Sequence, residues 1–215
     1  MKYTHFFFDL DGTVTNSAPG INHSVQYALQ KCGIEPPPQS ELLDFIGPPL
    51  TVGFSNHFGM DREESLRAVA FYREYYSVSG MLECQVYQGI PALLEELNAR
   101  GVICVLATCK PHIYAKAILE HFDLAKHFSF VSGPELDGTR GEKDEVIAYA
   151  MEKLHLQDPS RILMIGDRAG DAKGAAACGL PCAGVLWGFG DRAELTDAGA
   201  AYLVEHPHQL LSLTD

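Results

Sequence analysis

Two aspartates, Asp9 and Asp11, stand one residue apart behind the aromatic run Phe6-Phe7-Phe8, with Gly12 and Thr13 following. An unbroken apolar run predicts a short buried strand, and Gly12 permits a tight turn after it. A strand that delivers two carboxylates to its C-terminal tip puts them where open α/β sheets bind ligands. Like charges held that close are costly unless a cation or a catalytic task needs them. Asp and Gly also favour turns for their own reasons, so the pair alone reads equally well as an Asp-rich turn.

Later positions shift that balance. Thr108, then Cys109 and Lys110, follows the apolar run 102–107. Lys143 stands at the start of a helical stretch, and Asp167 and Asp171 follow the strand expected at 161–165. Each has an ordinary reading by itself. Thr108 is a common strand-end residue, Lys143 a solvated lysine, and the two aspartates suit a helix N-terminus. Their joint occurrence at consecutive strand ends is much harder to obtain by chance. Converging carboxylates without a cation repel, which implies a bound hard divalent ion. Mg²⁺ suits best, because it accepts a few carboxylates and carbonyls together with phosphate oxygens and water. A hydroxyl and an ammonium beside that ion are what a phosphoryl group needs for its other oxygens.

The elements that must position these groups alternate between strand and helix. Strands are expected at 102–107, 128–131, 161–165, 182–186 and 202–204, with helices at 89–100, 111–122 and 144–154 and a small-residue helix around Ala172 and Ala175. That order predicts an α/β architecture with a Rossmann-like parallel sheet joined by right-handed crossovers. Residues 20–80 break the alternation and show only helix and turn. A polar loop at 16–20 leads to a helix at 21–32 closed by Gly33. Ser40 is expected to cap a short helix through Phe45 and Ile46. Helices at 50–58 and from Asp61 to Gly80 complete the stretch. We therefore expect a core of 1–16 and 84–215 with an inserted helical cap at 17–83.

A formal net charge of −12 argues against a nucleic-acid polymer as partner, but not against a small phosphorylated metabolite. No apolar run approaches the roughly 18 residues needed to span a membrane, so no membrane association is expected. The first strand follows at once on the N-terminus, where no signal peptide is expected. The six cysteines lack metal-type spacing, and several lie in apolar stretches. They read as reduced thiols in a cytoplasmic protein, a monomer or small homo-oligomer.

The motifs resemble those of the haloacid dehalogenase superfamily of phosphohydrolases. They are Asp9-Leu10-Asp11-Gly12-Thr13 with Ser17, Val105 to Thr108 with Lys110-Pro111, Lys143, and Gly166-Asp167 through Asp171. Asn16 departs from the Asp that many relatives carry. The segments Ile46 to Leu50, Leu136-Asp137-Gly138 and Gly184 to Gly190 are similar to phosphoglycolate phosphatase-like and 5′-nucleotidase-like members, and the insert to that superfamily's four-helix cap. The resemblance implies that Asp9 is the nucleophile and forms an aspartyl-phosphate, while Asp11 is the acid and base. Mg²⁺ would sit among Asp9, the Asp11 carbonyl and Asp167, supported by Asp171. Thr108 and Lys143 would hold phosphoryl oxygens, with main-chain N–H groups around Leu10 to Gly12 and at Cys109 forming an anion nest.

A sugar phosphomutase of the same superfamily and a phosphoacceptor signalling domain are the competing readings. All groups assigned to phosphoryl transfer lie outside the insert, so the insert is expected to choose the substrate. The stiff break at Gly47, Pro48 and Pro49, presenting Ile46 and Leu50, is the candidate contact. Alternatively these prolines only separate two helices.

Overall fold

The computed structural model describes residues 2–47 and 49–214. Pro48, expected beside Gly47 and Leu50 as a substrate contact, lies outside the described residues. The chain divides into two compact units, one running to Thr15 and resuming at Val86, the other Asn16–Gln85. Two-residue strands, β2 (Thr15–Asn16) and β3 (Gln85–Val86), mark the passages between them.

The first unit is built on β1 (His5–Phe8), the aromatic run read from the sequence. It joins β4 (Ile103–Ala107), β5 (Phe128–Ser132), β6 (Ile162–Gly166), β7 (Cys182–Val185) and β8 (Tyr202–Val204) in the order β5-β4-β1-β6-β7-β8. Every pairing is parallel, and Phe6 stands opposite Cys104 on one side and Leu163 on the other. The sheet extends both ways from β1, so the tips of β1, β4 and β6 meet at the switch point where such sheets bind ligands.

Alternation sends Phe7 to one face, where it packs with Val105, Met164, Val146, Ile147 and Ala175. Phe8 packs edge-on against Phe128 at 6.0 Å between ring centres. Between the strands run α4 (Ile90–Ala99), α5 (His112–His121), α6 (Lys143–Lys153), α7 (Ala169–Ala177) and α8 (Arg192–Asp197), and a 3₁₀ turn at Pro207–Thr214 follows β8. Ile90, Leu93, Leu94 and Leu97, spaced for one helical face, are the buried residues of α4.

The second unit contains α1 (Ala18–Lys31), α2 (Leu50–Phe58) and α3 (Arg62–Tyr76). Asp61 caps α3 as expected: it accepts from the Glu64 N–H while the Glu64 side chain reaches back, forming a capping box. Gly20 lets α1 approach the 3₁₀ turn Gly80–Leu82, since a Cβ there would lie 1.8 Å from the Gly80 carbonyl oxygen.

Three expectations for this unit are corrected. The helix expected from Ser40 through Ile46 is two 3₁₀ turns, Gln39–Glu41 and Leu43–Phe45, with no side-chain cap and with Ile46 extended. The span between the proline breaks is too short to repay helix nucleation, and isolated 3₁₀ turns are the usual outcome. The fourth helix of the expected cap is thereby absent among the described residues. α1 starts at Ala18, inside the expected polar loop, because Pro19 in the first turn needs no N–H there. α3 ends at Tyr76, before Gly80. In the first unit, Ile103 opens β4 and is 41% exposed, so the run at 102–107 is not buried throughout.

Burial depth sets the expected cost of truncation. Phe7→Ala should lower unfolding free energy by about 3–5 kcal/mol. Ile103→Ala, at the exposed start of its strand, should cost about 1 kcal/mol or less. Urea unfolding of the two variants side by side measures both.

Candidate active site

Asp9 is the first residue past β1, yet its N–H still donates to the Ile165 carbonyl at 2.9 Å, so the β1–β6 ladder fixes its backbone. Thr108 is held in the same way past β4, donating its N–H to Ser132 O at 3.1 Å. Asp167 follows β6 directly, and Asp171 lies in the first turn of α7. The Asp171 carboxylate accepts from the Arg168 N–H at 3.1 Å. Lys143 is the first residue of α6, one position earlier than the sequence reading began that helix.

These elements bring the expected groups together. Lys143 Nζ lies 2.9 Å from Asp9 Oδ1 and 2.8 Å from Asp171 Oδ1, and donates to the Ala107 carbonyl at 3.1 Å. Burial works against this ammonium, but Asp171 and Asp9 more than offset it and hold its pKa well above the usual lysine range. Lys143 is therefore a fixed buried cation. Gly174 admits its stem, since a Cβ there would come 2.6 Å from Lys143 Cγ. Gly166 does the same for Asp171, with 2.2 Å to its Cγ.

Asp9, Asp167 and Asp171 each offer an oxygen, all within 4.8 Å of one another. One ammonium does not balance three carboxylates. Burial, then Asp171 and Asp9, push Asp167 well above the usual carboxylate range. Burial also raises Asp171, although Lys143 opposes it. A divalent cation would remove that penalty, and three carboxylate oxygens are hard donors of the kind Mg²⁺ takes. The residues present fit the ion.

Asp11 stands apart from this set. Its Oδ2 pairs with Lys110 Nζ at 3.0 Å, while its Oδ1 is buried with no hydrogen-bond partner among the described residues. The Asp11 atom expected beside the cation is its main-chain carbonyl, and its side chain is engaged by Lys110. Thr108 Oγ1 accepts from the Lys110 N–H at 3.2 Å, which leaves its own O–H to donate. Cys109 lies beside these groups, and burial pushes its thiol up to about 11, with Lys143 pulling the other way. A thiol with that pKa is protonated at neutral pH and is a poor nucleophile.

Gly12 is engaged within its own loop. Its N–H is committed to the Thr15 carbonyl at 2.8 Å, so that group is already engaged in the loop and is not a free donor for the expected anion nest, which also included Leu10. Gly12 matters instead for its shape. Its φ is +82°, and a Cβ would fall 2.1 Å from Asp167 Oδ2. In the second unit, Gly47 has a φ of +107° and Leu50 is the first residue of α2.

Sequence reasoning missed several neighbours. Lys110 was placed at the correct strand end without a partner. Tyr87 was not singled out, although Asp167 and Asp11 add to burial and push its phenol up to about 12. Phe189 was noted only within a resembling segment, yet its N–H donates to Asp167 Oδ2 at 2.8 Å. No spacing rule links residue 189 to residue 167; only the fold does.

The sequence and the fold are matched in known proteins. The haloacid dehalogenase-like hydrolase family model matches residues 6–185. A 5′-nucleotidase of Pseudomonas aeruginosa is 44% identical over 91% of this chain and 88% of its own. The tyrosine-protein kinase PtkA of Mycobacterium tuberculosis is 38% identical over 93% of this chain and 67% of its own. A phosphoglycolate phosphatase of Pseudomonas aeruginosa is 26% identical over 97% and 78%. The crystal structure of a predicted phosphatase from Clostridium acetobutylicum superposes with a TM-score of 0.94 at 43% identity, over 100% of this chain and 99% of that one. With its parallel sheet, strand-tip carboxylates and buried lysine, the chain belongs to the haloacid dehalogenase-like hydrolase family, whose phosphatase-named members are among its relatives.

Proposed function

We propose that this enzyme is a Mg²⁺-dependent phosphomonoesterase acting on small phosphorylated metabolites through an aspartyl-phosphate on Asp9. Nucleoside 5′-monophosphates are the first substrate class to consider and phosphoglycolate the second, in the order of identity of the relatives bearing those names. The observation that carries the reading is the division of labour among carboxylates. Asp9 lies with Asp167 and Asp171 and faces Lys143 at 2.9 Å, while Asp11 stands outside that group and pairs with Lys110 at 3.0 Å.

Lys143 holds one Asp9 oxygen at 2.9 Å, so the other oxygen can attack phosphorus in line. That step forms an Asp9 oxygen–phosphorus bond and breaks the bond from phosphorus to the leaving oxygen. Asp11 delivers the proton to that oxygen, with Lys110 holding its other carboxylate atom. In the second step a water attacks the aspartyl-phosphate, Asp11 accepts its proton, and phosphate leaves with Asp9 regenerated. The Thr108 hydroxyl is the available donor for a phosphoryl oxygen, and the Lys143 ammonium becomes a second when an incoming oxygen replaces one of its three partners, Asp9, Asp171 or the Ala107 carbonyl. Mg²⁺, held by Asp9, Asp167, Asp171 and the Asp11 carbonyl, would neutralise charge on the transferring group. Every residue with a role in this chemistry belongs to the first unit. We therefore assign the choice of leaving group to the insert at 17–83, with Gly47 and Leu50 as its candidate contacts.

Likeness to a tyrosine-protein kinase favours one other acceptor, a tyrosine hydroxyl in place of water. Phosphate release separates the two readings, because a phenol acceptor would retain the phosphoryl group on protein.

Asp9→Asn, nearly isosteric, should fold normally and lose about 10³-fold or more in kcat with p-nitrophenyl phosphate and nucleoside monophosphates. A folded variant keeping a tenth of wild-type kcat overturns the nucleophile assignment. EDTA should abolish phosphate release and Mg²⁺ restore it, whereas Ca²⁺, with its looser coordination, should inhibit. Turnover in a metal-free sample contradicts this. Cys109→Ser should keep kcat within about threefold, as expected for a thiol that is protonated at neutral pH and takes no part in transfer.

A further inference from the structure

The segment Trp187-Gly188-Phe189-Gly190 after β7 lies against the carboxylate centre without supplying a side-chain ligand to it. The Phe189 N–H donates to Asp167 Oδ2 at 2.8 Å. The Thr13 hydroxyl donates to the other oxygen, Asp167 Oδ1, at 3.3 Å. The Trp187 indole N–H in turn donates to the Thr13 carbonyl at 3.0 Å. These bonds close a circuit from Trp187 through Thr13 and Asp167 to Phe189 and back along the main chain.

The two glycines make the circuit possible. A Cβ at Gly188 would lie 2.4 Å from both Asp167 Cβ and the Gly12 carbonyl oxygen, and one at Gly190 would lie 2.0 Å from the Asp167 carbonyl oxygen. The following carbonyl, that of Val14, is held at 3.1 Å by the Tyr87 N–H. Two successive carbonyls of the loop that carries Asp9 and Asp11 are thus anchored from outside it.

Trp187 is not a core filler. It is half-buried, and with Tyr87, Leu93, Pro207 and Leu211 it lines an open cavity of about 550 Å³. Its side-chain hydrogen bond is the one to the Thr13 carbonyl.

We propose that Trp187 is a positioning residue for the metal centre: its N–H holds the Thr13 carbonyl, which keeps the Thr13 hydroxyl on Asp167 and orients that carboxylate toward the cation. This rests on the reading of Asp167 as a cation ligand. Partners of a ligand that orient it commonly contribute ten- to a hundredfold to metal affinity or activity.

The test uses Trp187→Phe, which keeps a ring and removes the donor, beside Leu211→Ala, which changes the same cavity without touching the circuit. Mg²⁺ binding to the whole substrate-free protein is measured by calorimetry, and kcat and KM with p-nitrophenyl phosphate at saturating Mg²⁺. Trp187→Phe should weaken Mg²⁺ binding about tenfold and lower kcat, with KM changed less than about twofold. Its melting temperature without metal should stay near that of the wild type. Leu211→Ala should keep wild-type Mg²⁺ affinity. Mg²⁺ affinity of Trp187→Phe within twofold of wild type, or an equal loss in Leu211→Ala, overturns the proposal while leaving the phosphatase reading in place. A wild-type protein that binds no Mg²⁺ overturns both.

Discussion

Three carboxylates buried around one ammonium are the constraint on which the rest of this molecule depends. Asp9, Asp167 and Asp171 repel one another in a setting with little water to screen them, and Lys143 offsets only part of that cost. Such an arrangement persists only where the surrounding fold over-determines it. Here the parallel ladder holds Asp9 from behind, two helix N-terminal turns present Lys143 and Asp171, and glycines at 12, 166 and 174 remove the side chains that would keep the charges apart. The arrangement is costly by itself, and the cation of the proposed mechanism would offset that cost.

The sequence was most readable where chemistry and periodicity agreed. Phe6 to Phe8 is apolar on both faces of its strand because the strand is central, and Asp9 and Asp11 mark where the strand ends. Thr108, Lys143, Asp167 and Asp171 could be found because each sits one step past an apolar run or at the start of a helix. What could not be read depends on contacts between segments far apart in the chain. Lys110 pairs with Asp11 across 99 positions, taken as 110 minus 11, and nothing in either local sequence announces it. Asp61 was recognisable as a cap because its partner Glu64 is three residues away, whereas the proline-bounded stretch at 39–45 carries cap-type residues without the length to form a helix. Gly12 was noted for its turn, but the closeness of Asp167, which also excludes a Cβ there, belongs to the fold.

The division of the chain into two units separates two kinds of requirement. The first unit carries fixed backbone, buried charge and closely approaching glycines, a setting that tolerates little change. The second is held by helix packing, a capping box and the Gly20–Gly80 approach, and none of these involves a carboxylate of the centre. Sequence can drift there without disturbing the strand tips, which is what the proposed assignment of substrate choice to the insert requires.

Trp187 is the single tryptophan of the chain. Its indole nitrogen is bonded to the loop that carries Asp9 and Asp11, and one side of its ring faces an open cavity. All indole emission from this protein therefore originates one hydrogen bond away from that loop. The molecule carries its own optical probe of the centre, with no label to attach and no second fluorophore of that type to subtract.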